Sequence, residues 1–298
     1  MTDSPKLSGL AELERRVDRA LTTGDESGIE VLGYGEISCV LAWRAGNDAF
    51  AAKRLPPFDT GSRLDAYRSA FDAYLRALDS AGVNVVPSLL ASTASADGRL
   101  AAWCLQPLLD STDLAPRWLK QAGAGGARWL FERISDHVVA SVGPTLGLDG
   151  QLSNWAVVDH EVVYFDVTTP MMRDGNGREA LDTDLFLASL PWALRALVRR
   201  FLLHSILDKY YSPRGVLLDL LGNLIKEGVS DLLSLGLEIV NTAVEPAIGE
   251  GEVRRYYRED AAMWALLQRL RRIDRAWQRR VRRRQYPFLL PGKVERHV

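Results

Sequence analysis

The chain has 298 residues, of which 47% are hydrophobic and 25% charged, so it can bury a large core. Its formal net charge of -1 argues against a dedicated nucleic-acid-binding protein. The first residues lack a signal peptide's apolar core, and charges interrupt every long apolar run, so we expect a cytoplasmic protein without a membrane span. Arginine outnumbers lysine 31 to 6, which is typical of bacteria with GC-rich genomes.

Apolar periodicity predicts a short charged helix at residues 8–22, followed by strands and turns. Gly33 and Gly35 lie between strand-like residues, where their backbone N–H groups can approach phosphate oxygens. The strand at residues 49–53 then ends in Lys53. In a chain so poor in lysine, a compact ammonium group at this position is consistent with a point charge that binds phosphate. The plainer alternative is a cation at a strand edge.

A helix is predicted at residues 63–81, and it contains no glutamate. Asp72, nineteen residues after Lys53, is the best candidate in this helix for an acidic partner of the lysine. Further along, residues 115–141 are also predicted to be largely helical, with a break at residues 123–126, where three of the four residues are glycine.

A metal site is predicted around Asp149, Asn154 and Asp166. The β-branched and aromatic residues at 157–158 and 162–165 flank a short turn, so they are expected to pair as a hairpin that brings Asn154 beside Asp166. Amide and carboxylate oxygens are the ligands that Mg²⁺ prefers. The spacing of Asp149 and Asn154 alone is weak, because an aspartate in a loop is often a cap. Its occurrence after Lys53 strengthens the interpretation.

Residues 182–284 are predicted to be helical, with breaks near 212–215, 227–228 and 246–251. The last helix contains nine arginines between Arg269 and Arg284, together with apolar residues at helical spacing. Either its apolar stripe packs on the protein and the arginines are solvated, or the helix binds an anionic partner. A phosphorylated substrate, an acidic peptide, RNA and a membrane surface all fit the second alternative.

The order of these motifs resembles that of kinase-fold phosphotransferases, and is closer to the aminoglycoside and choline kinase branch than to protein kinases. By this resemblance Gly33 and Gly35 belong to the glycine-rich loop, Ser38 replaces its third glycine, and Val40 and Ala51 cover the adenine of ATP. The motifs Gly-Tyr-Gly-Glu-Ile-Ser and Phe-Asp-Val-Thr-Thr-Pro also resemble an actinobacterial family of that fold with no assigned substrate.

The resemblance further implies that Lys53 binds the nucleotide phosphates, with Asp72 as its substitute helix partner. Asp149 matches the catalytic base, Asn154 the metal-binding asparagine, and Asp166 the aspartate of the DFG motif. ATP and Mg²⁺ are the implied cofactors.

The segment at residues 105–109 matches the connection between the two lobes. In the family, backbone groups of this connection hydrogen-bond adenine, which assigns Gln106 and Leu108 to the nucleotide site.

Several departures from the family pattern bear on activity, and one of them is Thr168, which stands where the DFG motif has its glycine. Gly147 replaces the histidine that lies two residues before the base, and Gln151 replaces the cation two residues after it. The leading hypothesis is an ATP-dependent phosphotransferase acting on a hydroxyl of a small-molecule or peptidyl acceptor. The alternative is a weak or inactive pseudokinase that serves as a nucleotide-binding scaffold, which the missing helix glutamate favours. Transfer of a nucleotidyl group is a third possibility.

The predicted fold is α+β and protein-kinase-like, with a small antiparallel-sheet lobe and a large, mainly helical lobe. We predict an N-terminal helical extension at residues 1–27, a nucleotide-binding lobe at 28–109, and a catalytic lobe at 110–298. Cys39 and Cys104 fall in predicted strands of the small lobe and are expected to be buried thiols.

Overall fold

The computed structural model describes residues 9–34, 38–187 and 207–282, together with the isolated residues Leu190, Arg195, Val198, Tyr286, Phe288 and Leu289. Within these residues the chain forms an antiparallel sheet with two attached helices, followed by a mainly helical part. The α+β class and the two-lobed arrangement are therefore confirmed.

Five antiparallel strands form the sheet of the small lobe, in the spatial order β1-β2-β3-β5-β4. A helix, α2 (Gly61–Ser80), connects β3 to β4 and lies against the inner face of the sheet, which is the face turned toward the helical part. We call the space between the sheet and the helical part the cleft. The strands are β1 (Glu30–Tyr34), β2 (Cys39–Ala45), β3 (Asp48–Arg54), β4 (Leu89–Ala94) and β5 (Leu100–Pro107).

The two faces of the sheet follow from the alternation of side chains along each strand. On β3, Ala52 and Arg54 are buried on the outer face, whereas Ala51 and Lys53 are only partly buried and lie on the inner face. Both cysteines are buried and free, and burial raises the pKa of Cys39 to about 11 and that of Cys104 to about 12. Their thiols are thus protonated at neutral pH, as expected for packing residues.

The first helix, α1 (Leu10–Thr23), covers the outer face of the sheet. It forms a buried ion pair, in which the Arg54 guanidinium lies 2.6 Å from a Glu14 carboxylate oxygen, and the Trp103 indole donates to the same carboxylate at 3.1 Å. Nearer its end, Asp18 accepts from the backbone N–H of Ala96 at 2.7 Å. The predicted helical extension is therefore an integral layer of the small lobe.

The second helix, α2 (Gly61–Ser80), begins where the Thr60 hydroxyl accepts from the Arg63 N–H. Its buried residues recur at three- and four-residue intervals and therefore form one stripe. Asp72 directly follows one of these residues, so it is turned about 100° away from the stripe and is exposed. The stripe consists of Leu64, Tyr67, Phe71, Tyr74 and Leu78.

The second lobe starts with α3 (Ala115–Ser141), which is kinked at Gly123, where φ is +63°, inside the break that the sequence predicts. A hairpin of two short strands follows. The helix at Pro213–Lys226, called α5 below, is largely buried, and three of the other helices of this lobe pack against it. The elements are β6 (Trp155–Val158), β7 (Glu161–Tyr164), α4 (Thr183–Leu187), α5 (Pro213–Lys226), α6 (Leu233–Val240) and α7 (Glu250–Arg280).

The predicted breaks at 212–215, 227–228 and 246–251 all coincide with ends of these helices. The exact boundaries of the three predicted domains stay a prediction. None of the helices in the described ranges is long and apolar enough to cross a membrane.

The ion pair that attaches α1 provides a test of the small lobe. Replacing Glu14 by alanine leaves the guanidinium of Arg54, which is 5% exposed, without its partner, so we expect a loss of about 3 to 5 kcal/mol in the free energy of unfolding. Urea denaturation measures this loss. Glu12→Ala is the matched control on the same helix, because Glu12 pairs with two exposed arginines, Arg15 and Arg16. Equal effects of the two substitutions would contradict the packing of α1.

Candidate active site between the sheet and the helical lobe

The hairpin at residues 155–164 positions the predicted metal ligands. Its two-residue turn, Asp159 and His160, has φ values of +50° and +66°, as the tight hairpin turn requires. At the open end, the Phe165 N–H donates to the Asn154 carbonyl at 3.1 Å. Asn154 and Asp166 therefore emerge side by side, as the sequence predicts.

Lys53 crosses from the sheet to this end of the hairpin. Its Nζ lies 2.6 Å from Oδ1 of Asp166, and both side chains are largely shielded, at 17% and 23% exposure. The Thr168 hydroxyl donates to the same carboxylate oxygen at 3.3 Å. The expected pairing of Lys53 with Asp72 is not formed, because Asp72 lies on the exposed side of α2.

The cleft side of α2 carries two tyrosines that hold loops of the second lobe. The Tyr67 hydroxyl donates to the Thr168 carbonyl at 2.8 Å, and the Tyr74 hydroxyl donates to the Gly147 carbonyl at 3.0 Å. Both hydroxyls are buried. The helix thus contacts the segments before Asp149 and after Asp166 through neutral hydrogen bonds rather than through a carboxylate.

Asp149 lies behind Asn154, whose carboxamide donates to the Asp149 carbonyl at 3.1 Å. Burial raises the pKa of the Asp149 carboxyl to about 7, and the negative charges of Asp219 and Asp166 add to the effect. The ammonium group of Lys209 opposes it. Asp149 is therefore a partly buried carboxyl group whose pKa is raised toward neutrality.

Sequence reasoning missed a cluster around Lys209, which belongs to the short turn at residues 209–211. Its Nζ lies 2.8 Å from the Tyr256 hydroxyl and 3.5 Å from Oδ2 of Asp219 on α5. Burial alone would lower the pKa of Lys209, but its interactions with Tyr210, Asp219 and Tyr256 outweigh this and raise it. A permanent positive charge thus lies near Asp149. The available signal was the scarcity of lysine that also marked Lys53.

Gln151, at the position where the family has a cation, does not face the cleft. Its side-chain oxygen Oε1 accepts from Lys226 Nζ at 3.0 Å and from the Asn223 side-chain amide at 3.2 Å, both on α5. The cation that lowers the pKa of Asp149 is therefore Lys209 rather than a side chain at position 151, and the loop of Asp149 is attached to α5 through Gln151.

Close packing explains why glycine replaces histidine at position 147. A Cβ atom on Gly147 would lie 2.9 Å from the Tyr210 carbonyl oxygen and 3.1 Å from Cβ of Met171. The Gly147 N–H also donates to the Met171 carbonyl at 2.8 Å. The turn that carries Lys209 thus occupies the space that a side chain would need.

The residues predicted to surround a nucleotide do not all lie on the same face of the sheet. Gly33 lies on β1 next to a bulge, and Val40 and Ala51 are partly buried on the inner face of the sheet. Ser38 instead lines a small cavity on the outer side, beside Arg54 and Phe288. Its predicted position in the phosphate-binding loop is thus not supported by its packing. Gly35 lies outside the described residues.

The predicted connection between the lobes is held by hydrogen bonds of its own. The Gln106 carboxamide donates to the Phe165 carbonyl at 2.8 Å and to the Ser88 hydroxyl at 2.9 Å. The Leu108 N–H donates to the Ala49 carbonyl at 3.0 Å. Gln106 therefore anchors the Asp166 segment, and the Leu108 N–H would have to leave the sheet to meet an adenine.

The loop that follows Asp166 is short and is fixed by a charged clamp. The Arg173 guanidinium lies 2.7 Å from Glu179 and 2.8 Å from Asp208, and stacks 3.8 Å above the Tyr211 ring. The Tyr211 hydroxyl donates to the same Glu179 carboxylate at 2.6 Å. The clamp ties this loop to the turn that carries Lys209.

The side chains present fit a hard cation only in part. No group of three or more His, Cys, Asp or Glu side chains converges on one point within the described ranges. Asp166 and the carboxamide oxygen of Asn154 provide two oxygen ligands, and Mg²⁺ ordinarily completes its shell with waters and substrate phosphates. The donor set therefore suits magnesium bound together with a nucleotide rather than a resident structural metal.

The element order and the Lys53–Asp166 pair between the lobes define a kinase-like fold. The chain belongs to the family described as "Family of unknown function (DUF6206)", whose model matches residues 12–275. No curated protein matches this chain.

Two solved protein kinases are among the structures that this chain matches. The PknI kinase domain of Mycobacterium tuberculosis is 14% identical, with a TM-score of 0.37, over 79% of this chain and 96% of that one. The MAP kinase LmaMPK10 of Leishmania major is 10% identical, with a TM-score of 0.33, over 86% of this chain and 100% of that one. At these values neither similarity assigns a role to any residue here.

The contact between Gly147 and the Lys209 turn generates a prediction. Gly147→Ala forces a methyl group against backbone and core atoms, so we expect a loss of about 1 to 3 kcal/mol in the free energy of unfolding. Gly143→Ala is the matched control in the same segment, because a Cβ there meets no atom within 4 Å. Thermal unfolding of both variants measures the difference, and a Gly147→Ala protein as stable as the control would refute this packing.

Proposed function

We propose that the protein is an ATP-dependent phosphotransferase that uses Mg²⁺ and transfers the γ-phosphoryl group to a hydroxyl. The observation that carries the proposal is the 2.6 Å pair between Lys53 and Asp166, which joins a sheet lysine to an aspartate at the hairpin end. A phosphate-binding cation and a metal-binding carboxylate must lie next to each other to grip one triphosphate. Asn154 lies beside this pair on the same hairpin end, and its carboxamide donates to the Asp149 carbonyl.

Each residue has a task in this reaction. Lys53 would orient the triphosphate, while Asn154 and Asp166 would hold the magnesium ion, which neutralises phosphate charge when bound. Asp149 would orient the acceptor hydroxyl and finally take its proton. Lys209 would stabilise the negative charge that builds up on the phosphoryl group, in place of the cation missing at Gln151.

We infer that the acceptor is a small molecule or a short peptide. Among kinase-fold phosphotransferases, we assign the protein to the branch of aminoglycoside and choline kinases. The segment between Asp166 and α4 is short, and its Arg173–Glu179 clamp holds it against the Lys209 turn. Protein kinases use a longer segment here to receive protein substrates. Dependence on ATP also favours a cytoplasmic location.

One observation favours the alternative, a pseudokinase that binds nucleotide as a scaffold. The cleft side of α2 carries tyrosines and a phenylalanine, so Lys53 has no helix carboxylate to hold it when a metal takes Asp166. Weak or absent transfer with retained nucleotide binding would follow. Retention of Asp149, Asn154 and Asp166 together favours catalysis, because a scaffold does not require all three.

Calorimetric titration with ATP, with and without Mg²⁺, tests the nucleotide site. We expect metal-dependent binding that weakens by about tenfold or more in Lys53→Ala, through loss of a charged phosphate contact, and loses its metal dependence in Asp166→Asn. Lys120→Ala, an exposed lysine on α3, is the control and should bind as the wild type does. Wild-type protein that binds no ATP would refute both the phosphotransferase and the nucleotide-binding scaffold.

Two variants separate catalysis from binding once an acceptor screen detects transfer. Asp149→Asn should lower kcat by about 10² to 10⁴ while ATP binding is retained. Lys209→Gln should lower kcat by about a hundredfold, because the charge it supplies acts on the transition state. Calorimetry on the same samples verifies nucleotide affinity. If transfer by Lys209→Gln equals that of Lys120→Gln, the role of Lys209 is wrong.

A further inference from the structure

The last helix has its amphipathic character reversed. The side of α7 that faces the protein carries Gln268, Arg271 and Asp274, which are 7%, 1% and 7% exposed. The neighbouring, solvent-facing side presents large apolar residues to water. A surface helix of a globular protein normally buries its apolar stripe, so this stripe is not used in folding and points to a binding surface. The exposed residues are Met263, Leu266, Ile273, Trp277 and Val281, at 64%, 51%, 58%, 46% and 57% exposure.

These five residues lie on one line along the helix. Their spacings of three, seven, four and four residues keep them within about 80° of the helix circumference, and the line is about 27 Å long. We call this line the α7 stripe. Arg269 and Arg280, both exposed, lie directly beside it on the same solvent-facing side. Apolar and cationic groups are thus presented together.

The helix that carries the stripe is held rigidly at both ends. Its first turns pack on α5, and the Arg214 guanidinium pairs with Glu252 at 2.8 Å. Near its other end, Arg279 donates to the Leu21 carbonyl of α1 at 2.6 Å. The Phe288 ring lies 5.3 Å from the buried Arg271 guanidinium and covers the inner side. The stripe is therefore a straight, preorganised ridge.

We propose that the α7 stripe docks the protein on an anionic lipid surface. A convex ridge with large apolar side chains along its crest and arginines at its flank matches a helix that lies in the bilayer interface, where the apolar groups enter the acyl boundary and the guanidinium groups meet phosphate headgroups. Charge complementarity selects this partner over a second copy, because the five arginines that α7 exposes fully or partly between Arg269 and Arg280 would repel each other across a paired helix.

RNA fits the structure less well for a different reason. Its phosphates would pair with the arginines but leave the aliphatic crest in water, whereas a lipid surface covers both. An acidic partner protein would need a groove to receive the ridge. The proposal concerns a surface outside the cleft, so it stands or falls independently of the proposed phosphotransferase activity.

Co-sedimentation of the full-length protein with vesicles tests the docking. We expect binding to phosphatidylcholine vesicles that contain phosphatidylserine, weaker binding to phosphatidylcholine alone, and weaker binding at high salt. Each arginine near an anionic surface strengthens binding about fivefold, which corresponds to about 1 kcal/mol, so Arg269→Gln combined with Arg280→Gln should weaken binding roughly 25-fold.

The apolar component has its own variant and a matched control. Ile273→Asp should weaken vesicle binding by more than about tenfold, because it places a charge in the acyl boundary. Val139→Asp alters an equally exposed aliphatic residue on α3, at 47%, and should bind as the wild type does. Circular dichroism shows that each variant is folded.

Three outcomes would overturn the proposal. The first is absence of wild-type binding to phosphatidylserine vesicles, which would leave an acidic protein as the partner. The second is a wild-type dimer that Ile273→Asp dissociates in the absence of lipid. The third is polyanion binding, measured with RNA, that persists in Ile273→Asp while vesicles are not bound.

Discussion

The contact between Lys53 and Asp166 is the constraint around which the cleft is organised. An ammonium group that is four-fifths shielded from water requires a negative partner, and within the described part of the chain Asp166 is the carboxylate that contacts it. One residue belongs to the sheet and the other to the helical lobe. The two lobes are therefore held at a separation that a single ion pair can bridge, and the hairpin must deliver Asp166 to that point.

The same pair also affects how a metal ion can bind to Asp166. Asp166 is both the partner of Lys53 and the strongest candidate metal ligand, so a metal that binds Asp166 competes with the lysine for one carboxylate. The helix α2 cannot resolve this competition, because it offers the hydroxyls of Tyr67 and Tyr74 to backbone carbonyls. A nucleotide can resolve it, since its phosphates supply the negative charge that Lys53 then lacks. Metal and nucleotide are expected to enter together.

Local patterns predicted much of this arrangement. The hairpin was predicted from β-branched residues around a turn, and Lys53 was singled out because it ends a predicted strand in a chain that contains few lysines. The predicted pairing of Lys53 with Asp72 was wrong. Each residue along a helix turns the side chain by about 100°, and only the buried neighbours reveal which residues face the sheet. Lys209 was missed because its position near Asp149 depends on the approach of α5 and α7, which no local pattern encodes.

The arginine near the end of α7 has a mechanical consequence. Besides the chain connection after β5, the lobes are joined at the cleft by the Lys53–Asp166 pair and by the two tyrosine hydrogen bonds, and elsewhere by Arg279, which donates to the Leu21 carbonyl of α1. Because α1 covers the outer face of the sheet, the helical lobe holds the small lobe through both faces. Any movement that widens the cleft must break the contacts on the inner face, and the Arg279 contact resists sliding of the α1 layer at the same time.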